Sequence, residues 1–320
     1  MRGAEPVLQA GAAGARRGLA APLGELLGRV GRYRRLLLFS PIMLFFGTFF
    51  LFPLFALLRV SLARNPGGTG YGEGTAFYIP GTWTLDNYVK FFGDRFFLQT
   101  ALFTVELGLI TAVATTVVSY ALAYQVYRAR PLVKSVLLMV VILPKFTNVL
   151  VMMYGFLVVF GSSGLLNRML LLAGVVREPV PMVYNLFSVV LGEIVLVMPY
   201  CVLVIAAVLH GIDPALAEAA RGLGATPARV FREVTLPLSL PGVWVSVLLS
   251  YIWGVGAFVA PYLLGNPELY TLAVEVDRQT NWRLNWAMGG TVAFVLMAII
   301  LALVVLFVRA QGEARQEAAA

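Results

Sequence analysis

The sequence predicts an all-α, polytopic membrane protein with six transmembrane helices, and three observations carry that prediction. Apolar residues make up 60% of the 320 and charged residues only 12%, against about 45–50% and about 25% in soluble domains. Apolar runs of about 20 residues or more, the length needed to cross the hydrocarbon, recur six times. Between those runs, Lys and Arg alternate between rich and poor connections, the pattern that orients membrane helices.

The elements follow in order. Residues 1–35 form a basic, flexible tail that turns strongly cationic from Gly28 to Arg35, a composition that suits anionic lipid headgroups. The first span, near 36–58, starts too far into the chain and is too long for a signal peptide, and it lacks a small-x-small cleavage site. The connection 61–97 holds the turn-rich run PGGTGYGEG and then TWTLDNYVKFF, where Thr84 or Asp86 can cap a short helix and the aromatics suit the membrane interface. Spans two and three lie near 98–123 and 132–160, the latter with Pro144-Lys145 at mid-length. The fourth, near 183–209, carries Glu193 and Pro199; the fifth, near 238–264, carries Pro261; the sixth lies near 286–308, followed by a tail at 309–320.

With the N-terminus inside, one side of the membrane carries 15 Lys and Arg and the other 8. The positive-inside bias therefore puts both termini and the 210–237 connection in the cytoplasm. It also accounts for most of the net charge of +8, which leaves no reason to invoke nucleic acid.

Several chemistries fall away. One cysteine and one histidine offer neither a disulfide framework nor a thiolate metal site, and no nucleophile stands with a base, so no catalytic residue, metal or cofactor is expected. No GxxxxGK[ST] phosphate loop occurs, so the chain does not hydrolyse ATP itself. Ionisable residues inside membrane spans are costly and mark function by default, and three stand there: Glu106, Lys145 and Glu193. They are candidates for a translocation path, and each also has a plain reading. Glu106 is within reach of the outer headgroups, Lys145 can snorkel, and Lys145 and Glu193 can pair with each other. Pro144, Pro199 and Pro261 break helices where the freed backbone must face protein or a water-filled cavity. His210, at the inner end of the fourth span, suits capping of a helix terminus.

The 211–237 connection is a polar interruption. Asp213-Pro214 starts a helix as cap and first-turn proline, Gly224 ends it, and Thr226-Pro227 repeats the start signal. The prediction is two short helices with a glycine bend, the second running to about Glu233 and closed off by Leu236-Pro237. Helices this short are marginal alone and must pack on something. Ala217, Ala219 and Ala220 form a small-residue surface; Val230, Phe231 and Val234 form an apolar anchor. Two readings are open on physical grounds: a loop lying on its own bundle or the headgroups, and a docking element for another protein.

That stretch resembles the EAA signature of permease subunits of binding-protein-dependent ABC importers: EAA, three residues, Gly, nine residues, Ile, one residue, Leu-Pro. Here it reads Glu218-Ala219-Ala220, Gly224, Val234 and Leu236-Pro237, with Val for Ile as the one departure. The resemblance runs from about residue 36 onward. Within the family it is closest to the spermidine/putrescine-type permeases, through TLDNY at 84–88, GSSGLLN at 161–167, LGNPELYTLA at 264–273 and NWAMGG at 285–290. It implies a six-helix importer permease fold with cytoplasmic coupling helices, in a bacterial inner membrane. The implied partners are two ATPase subunits that bind ATP, a second permease subunit (a paralogue or a copy), an extracytoplasmic solute-binding protein and membrane lipid. Glu218 would contact the ATPase socket, Gly224 would allow the bend, and Phe231 with Leu236 would fix the unit to the bundle. The implied cargo is a polyamine, with ferric iron, sulfate, phosphonate or sugar as alternatives within the same fold. An ion-coupled secondary transporter is the rival from another class, although no internal repeat supports it.

Overall fold

The computed structural model describes residues 39–65 and 78–317. The tail at 1–35 and the glycine-rich run at 66–74 lie outside the described residues. Among the described residues six helices are long and apolar enough to cross a membrane: Phe39–Ser61, Arg95–Arg128, Val149–Leu172, Leu186–His210, Pro227–Val255 and Trp286–Arg309. In chain order the helices are α1 (Phe39–Ser61), α2 (Asp86–Gly93), α3 (Arg95–Arg128), α4 (Pro131–Ile142), α5 (Val149–Phe160), α6 (Leu165–Leu172) and α7 (Leu186–His210). They continue with α8 (Pro214–Gly222), α9 (Pro227–Val255), α10 (Val259–Leu264), α11 (Leu272–Asp277) and α12 (Trp286–Glu317). Of the two expected caps before α2, Thr84 acts: its Oγ1 accepts the Asp86 N–H at 3.1 Å. The sixth span continues as helix to Glu317, past the expected start of a tail at 309.

Two expectations need correction, and proline chemistry explains both. The third span, expected as one segment near 132–160 interrupted at Pro144, is two separate helices. α4 ends at Ile142, a tight 3-10 turn covers Leu143–Phe146, and α5 starts at Val149. Pro144 supplies no N–H to the turn before it, and the Asn148 side chain then accepts the Leu150 N–H at 2.8 Å, capping a new helix. The fifth span, expected at 238–264, begins earlier and stops at Val255. Leu236-Pro237 does not close the preceding unit; the helix runs straight through it. Over Phe231–Thr235 the turn widens to π geometry and the Leu236 N–H reaches the Phe231 carbonyl five residues back. The added residue relieves the clash that the Pro237 ring would make with that turn. The same device appears in α1, where Gly47–Leu51 is π, Phe52 donates to Gly47 and Pro53 follows.

Packing centres on α3, α7 and α9. Small residues recur every fourth position on α9, at Gly242, Ser246, Ser250 and Gly254, all buried. A Cβ built on Gly254 would lie 2.9 Å from Thr111 Cβ and 3.0 Å from Gly108 Cα, so the α3 and α9 backbones touch. This is how membrane helices associate, by close approach and van der Waals contact in the absence of a hydrophobic drive. Leu107, Val189, Leu196, Val197 and Cys201 fill the core beside that seam.

The segment after α10 folds back onto the same seam. Thr271 Oγ1 donates to the Ala257 carbonyl at 2.6 Å, and Thr104 Oγ1 accepts the Leu272 N–H at 2.9 Å. Leu272 then packs with Phe91, Phe97, Met288 and Val292. Thr104→Val keeps the shape of the side chain but orphans a buried N–H, at a cost of about 1–3 kcal/mol. Thermal unfolding in detergent should show that loss. Thr100→Val should cost less, because the Thr100 hydroxyl only bonds back to Phe96 within its own helix.

Candidate functional site

The 211–237 connection builds its geometry from its caps. Asp213 Oδ1 accepts the Ala215 N–H at 2.9 Å, with Pro214 in the first turn of α8. At the other end the Ala225 N–H reaches the Ala220 carbonyl at 3.0 Å and the Gly224 N–H reaches Arg221 at 2.9 Å, a closure that needs a left-handed residue. Gly224 supplies it, with φ +85°. A Cβ there would meet nothing within 4 Å, so the backbone angle alone demands glycine. Thr226 Oγ1 then accepts the Arg229 N–H at 3.4 Å and α9 begins. Glu218 and Ala219 are exposed, Ala220 is half-buried, and Leu223 is 90% exposed. Arg229 and Glu233 pair at 2.9 Å on the surface, worth little in water.

Aromatic rings hold this unit to the bundle. Phe231 stands edge-on to Tyr124 at 5.0 Å and to Tyr120 at 6.1 Å. Tyr120 in turn shares a 2.9 Å hydrogen bond with Ser239, two residues past Pro237. Val230 is buried, and Val234 and Leu236 are half-buried, whereas Pro237 is exposed. Nearby, His210 Nδ1 donates to the Ala206 carbonyl at 2.7 Å, its Nε2 accepts from Lys134 at 2.6 Å, and Tyr127 stands edge-on to its ring. The sequence reading missed Tyr120, Tyr124 and Tyr127. Their signal is the spacing i, i+4, i+7 in YALAYQVY, one helical face at the end of α3.

The three intramembrane candidates separate. Glu106 lies on the exposed stripe of α3 with Leu102, Leu109, Val113 and Val117, and no ion pair joins it to Lys145. Glu193 and Lys145 come into one neighbourhood without pairing. Lys145, on the turn after Pro144, donates to the Leu196 carbonyl. Its Nζ lies 4.2 Å from the Tyr200 ring centre and 5.4 Å from that of Trp253. Glu193 is 1% exposed with the Trp253 indole beside it, and its Oε2 has no partner among the described residues. Glu193, Leu196 and Tyr200 share one face of α7 through their i, i+3, i+7 spacing, and Pro199 loosens the turn between them.

A third acid escaped the sequence reading. Glu275 on α11 has a fully buried side chain, takes 2.7 Å from Gln279 Nε2, and has Arg278 at 3.3 Å and Arg283 at 4.0 Å. It looked like one more loop charge because nothing in LAVEVDRQ marks the helix as buried. Among the described residues no group of His, Cys, Asp and Glu could hold a metal ion.

Comparison with known proteins agrees with the architecture. Residues 115–316 match the family described as binding-protein-dependent transport system inner membrane component. The spermidine/putrescine transport system permease protein PotB of Haemophilus influenzae is 29% identical over 262 residues, 82% of this chain and 88% of its own. The Escherichia coli K12 PotB is 26% identical over 235 residues, 73% of this chain and 85% of its own. The inner membrane ABC transporter permease protein YdcU of E. coli K12 is 30% identical over 221 residues, 64% and 70% of the two chains. A crystal structure of a bacterial ABC transporter involved in the import of the acidic polysaccharide alginate superposes with a TM-score of 0.70 at 17% identity, covering 92% of this chain and 99% of that one.

The ring contacts make a direct prediction. Phe231→Ala removes two aromatic pairs of about 0.5–1.5 kcal/mol each. Hydrogen exchange across 211–237 should then speed up roughly five- to hundredfold, while amides in the middle of α3 and α7 keep their protection.

Proposed function

The chain belongs to the family of inner membrane components of binding-protein-dependent transport systems, and from that premise we propose that its 211–237 loop couples a solute path to ATPase subunits outside this chain. It is a transport subunit of an ABC importer. In the proposed assembly it forms half of the path, with a second permease subunit, a paralogue or a copy, supplying the other half. Two ATPase subunits would bind and hydrolyse ATP on the cytoplasmic side, where the charge bias puts the loop and both termini. A solute-binding protein would deliver cargo from outside the bacterial inner membrane.

The observation that carries this reading is α8 itself. It is a nine-residue helix, too short to persist on its own in water, yet capped at both ends and presenting Leu216, Ala219 and Leu223 outward. A helix that leaves its apolar residues uncovered while α9 is anchored beneath it fits a socket on another protein. Closure of the two ATPases on ATP would draw the docked helices together and bias the bundles between inward- and outward-open states, a two-state change driven from a remote site.

Polyamine is the proposed cargo. Support comes from the two PotB proteins, whose likeness covers 82% and 73% of this chain. The intramembrane cluster supports it too: two ring faces, Tyr200 and Trp253, beside the buried acidic side chain of Glu193 suit an organic cation. Lys145, Glu193 and Glu106 are the proposed path residues.

Gly224 gives the test of coupling. A β-branched residue at φ +85° is strained, whereas Asn tolerates this region. Gly224→Val should abolish uptake and solute-stimulated ATP hydrolysis in the reconstituted complex while leaving membrane insertion intact. Gly224→Asn should keep most of both activities. Normal stimulation with Val at 224 would sink the coupling assignment. Cargo is tested separately, by ATP- and binding-protein-dependent accumulation of labelled spermidine in proteoliposomes; accumulation of a different solute would replace polyamine.

A further inference from the structure

We propose that Tyr200, Trp253 and the Leu196 carbonyl, beside Glu193, form a binding site for a primary alkylammonium group, and that Lys145 fills it as a tethered stand-in for cargo. This deepens the polyamine reading and rests on it for the identity of the cargo.

The geometry is that of an ammonium receptor. The Lys145 Nζ sits over two rings, at 4.2 Å and 5.4 Å from their centres, and donates to one backbone carbonyl. Two ring faces and a carbonyl meet the needs of a –CH2–NH3+ group, a compact cation with three donors and no acceptor. None of those groups reads the rest of the lysine. The end of an aliphatic amine is the same chemical object, so the receptor cannot tell the tethered ammonium from a free one.

The Leu196 carbonyl that receives Lys145 lies in the turn before Pro199, whose missing N–H leaves the adjacent Val195 carbonyl, four residues back, without its helical donor. Glu193 stands beside the rings, its Oε2 buried without a partner among the described residues. A free ammonium and that of Lys145 would need the same two ring faces and the same carbonyl, so lysine and cargo compete.

Two features let the lysine leave. Tyr200 and Trp253 are 44% and 38% exposed, so the site opens at the surface of the bundle and is not sealed within it. Lys145 sits on the four-residue turn Leu143–Phe146, between the end of α4 and the Asn148 cap of α5, so it can swing without unwinding a helix.

The test uses the complete complex in nanodiscs and n-propylammonium as the probe, with binding followed by calorimetry. Lys145→Ala and Lys145→Met, the second preserving the bulk of the stem, should each bind propylammonium at least tenfold more tightly than the unaltered protein. Adding Trp253→Leu to Lys145→Ala should reverse most of that gain. Equal binding by the unaltered protein and both lysine variants, each eluting as an intact complex, overturns the proposal, as does a gain that survives Trp253→Leu. Spermidine uptake by the unaltered complex is measured in parallel. Propylammonium binding that depends on Lys145, without spermidine uptake, retains the ammonium site and rejects the polyamine reading. Spermidine uptake without any such binding does the reverse.

Discussion

The Leu236 N–H reaches five residues back, to the Phe231 carbonyl, and the rest of the proposed machine depends on that one bond. A proline at 237 would ordinarily end or kink a helix. The widened turn absorbs it, so α9 leaves the loop and enters the membrane as a single rod. From Phe231 to Trp253 that rod is about 33 Å long at 1.5 Å per residue, roughly the thickness of the hydrocarbon. Its near end is held by Tyr120 and Tyr124, and Trp253 stands beside Glu193 and Lys145 at its far end. A displacement of the loop would therefore reach the cluster as a rigid movement of α9 along its seam with α3 and α7.

The seam suits such movement. Gly242, Ser246, Ser250 and Gly254 keep α9 narrow, and contact between small residues costs little to slide compared with interlocked large side chains. The hydroxyls of Thr111, Thr115 and Ser119 face this region without a partner among the described residues, so few specific bonds pin α3 to α9 in one register. The fold alone does not choose a cargo: the alginate importer has the same architecture at 17% identity. Choice must come from side chains such as those around Lys145, which is why that cluster matters more than the bundle that carries it.

What was legible in the sequence was local. Gly224 could be read because only a residue free of a Cβ penalty sits easily at positive φ, and Asp213-Pro214 and Thr226-Pro227 because caps act within three residues. Six spans were legible because hydropathy is additive along a chain. Pro237 was misread, since a π turn depends on a bond across five residues and on packing beneath Phe231, neither of which the motif displays. The break after Ile142 was half legible: Pro144 marked it, but the Asn148 cap decides that the third span is two helices. The fate of Lys145 was not legible at all. Pairing with Glu193 and separation from it look identical in sequence, and the competing partner is the Leu196 backbone carbonyl on another helix. Glu275 stayed hidden for a similar reason, because its burial is imposed by α2, α3 and α12 closing over α11.

The central claim is that the loop and the fifth span move as one body. Spin labels at Ala228 and Val245, both exposed and both on α9, should sit about 25 Å apart along the helix. Double electron–electron resonance on the complete complex measures that distance directly, with and without bound ATP. The account predicts one narrow distribution that stays in place when nucleotide binds, while distances from Ala228 to labels in the second permease subunit change. A distribution that broadens or shifts by more than about 5 Å, a full helical turn, would show that α9 bends at Phe231–Thr235 and would contradict it.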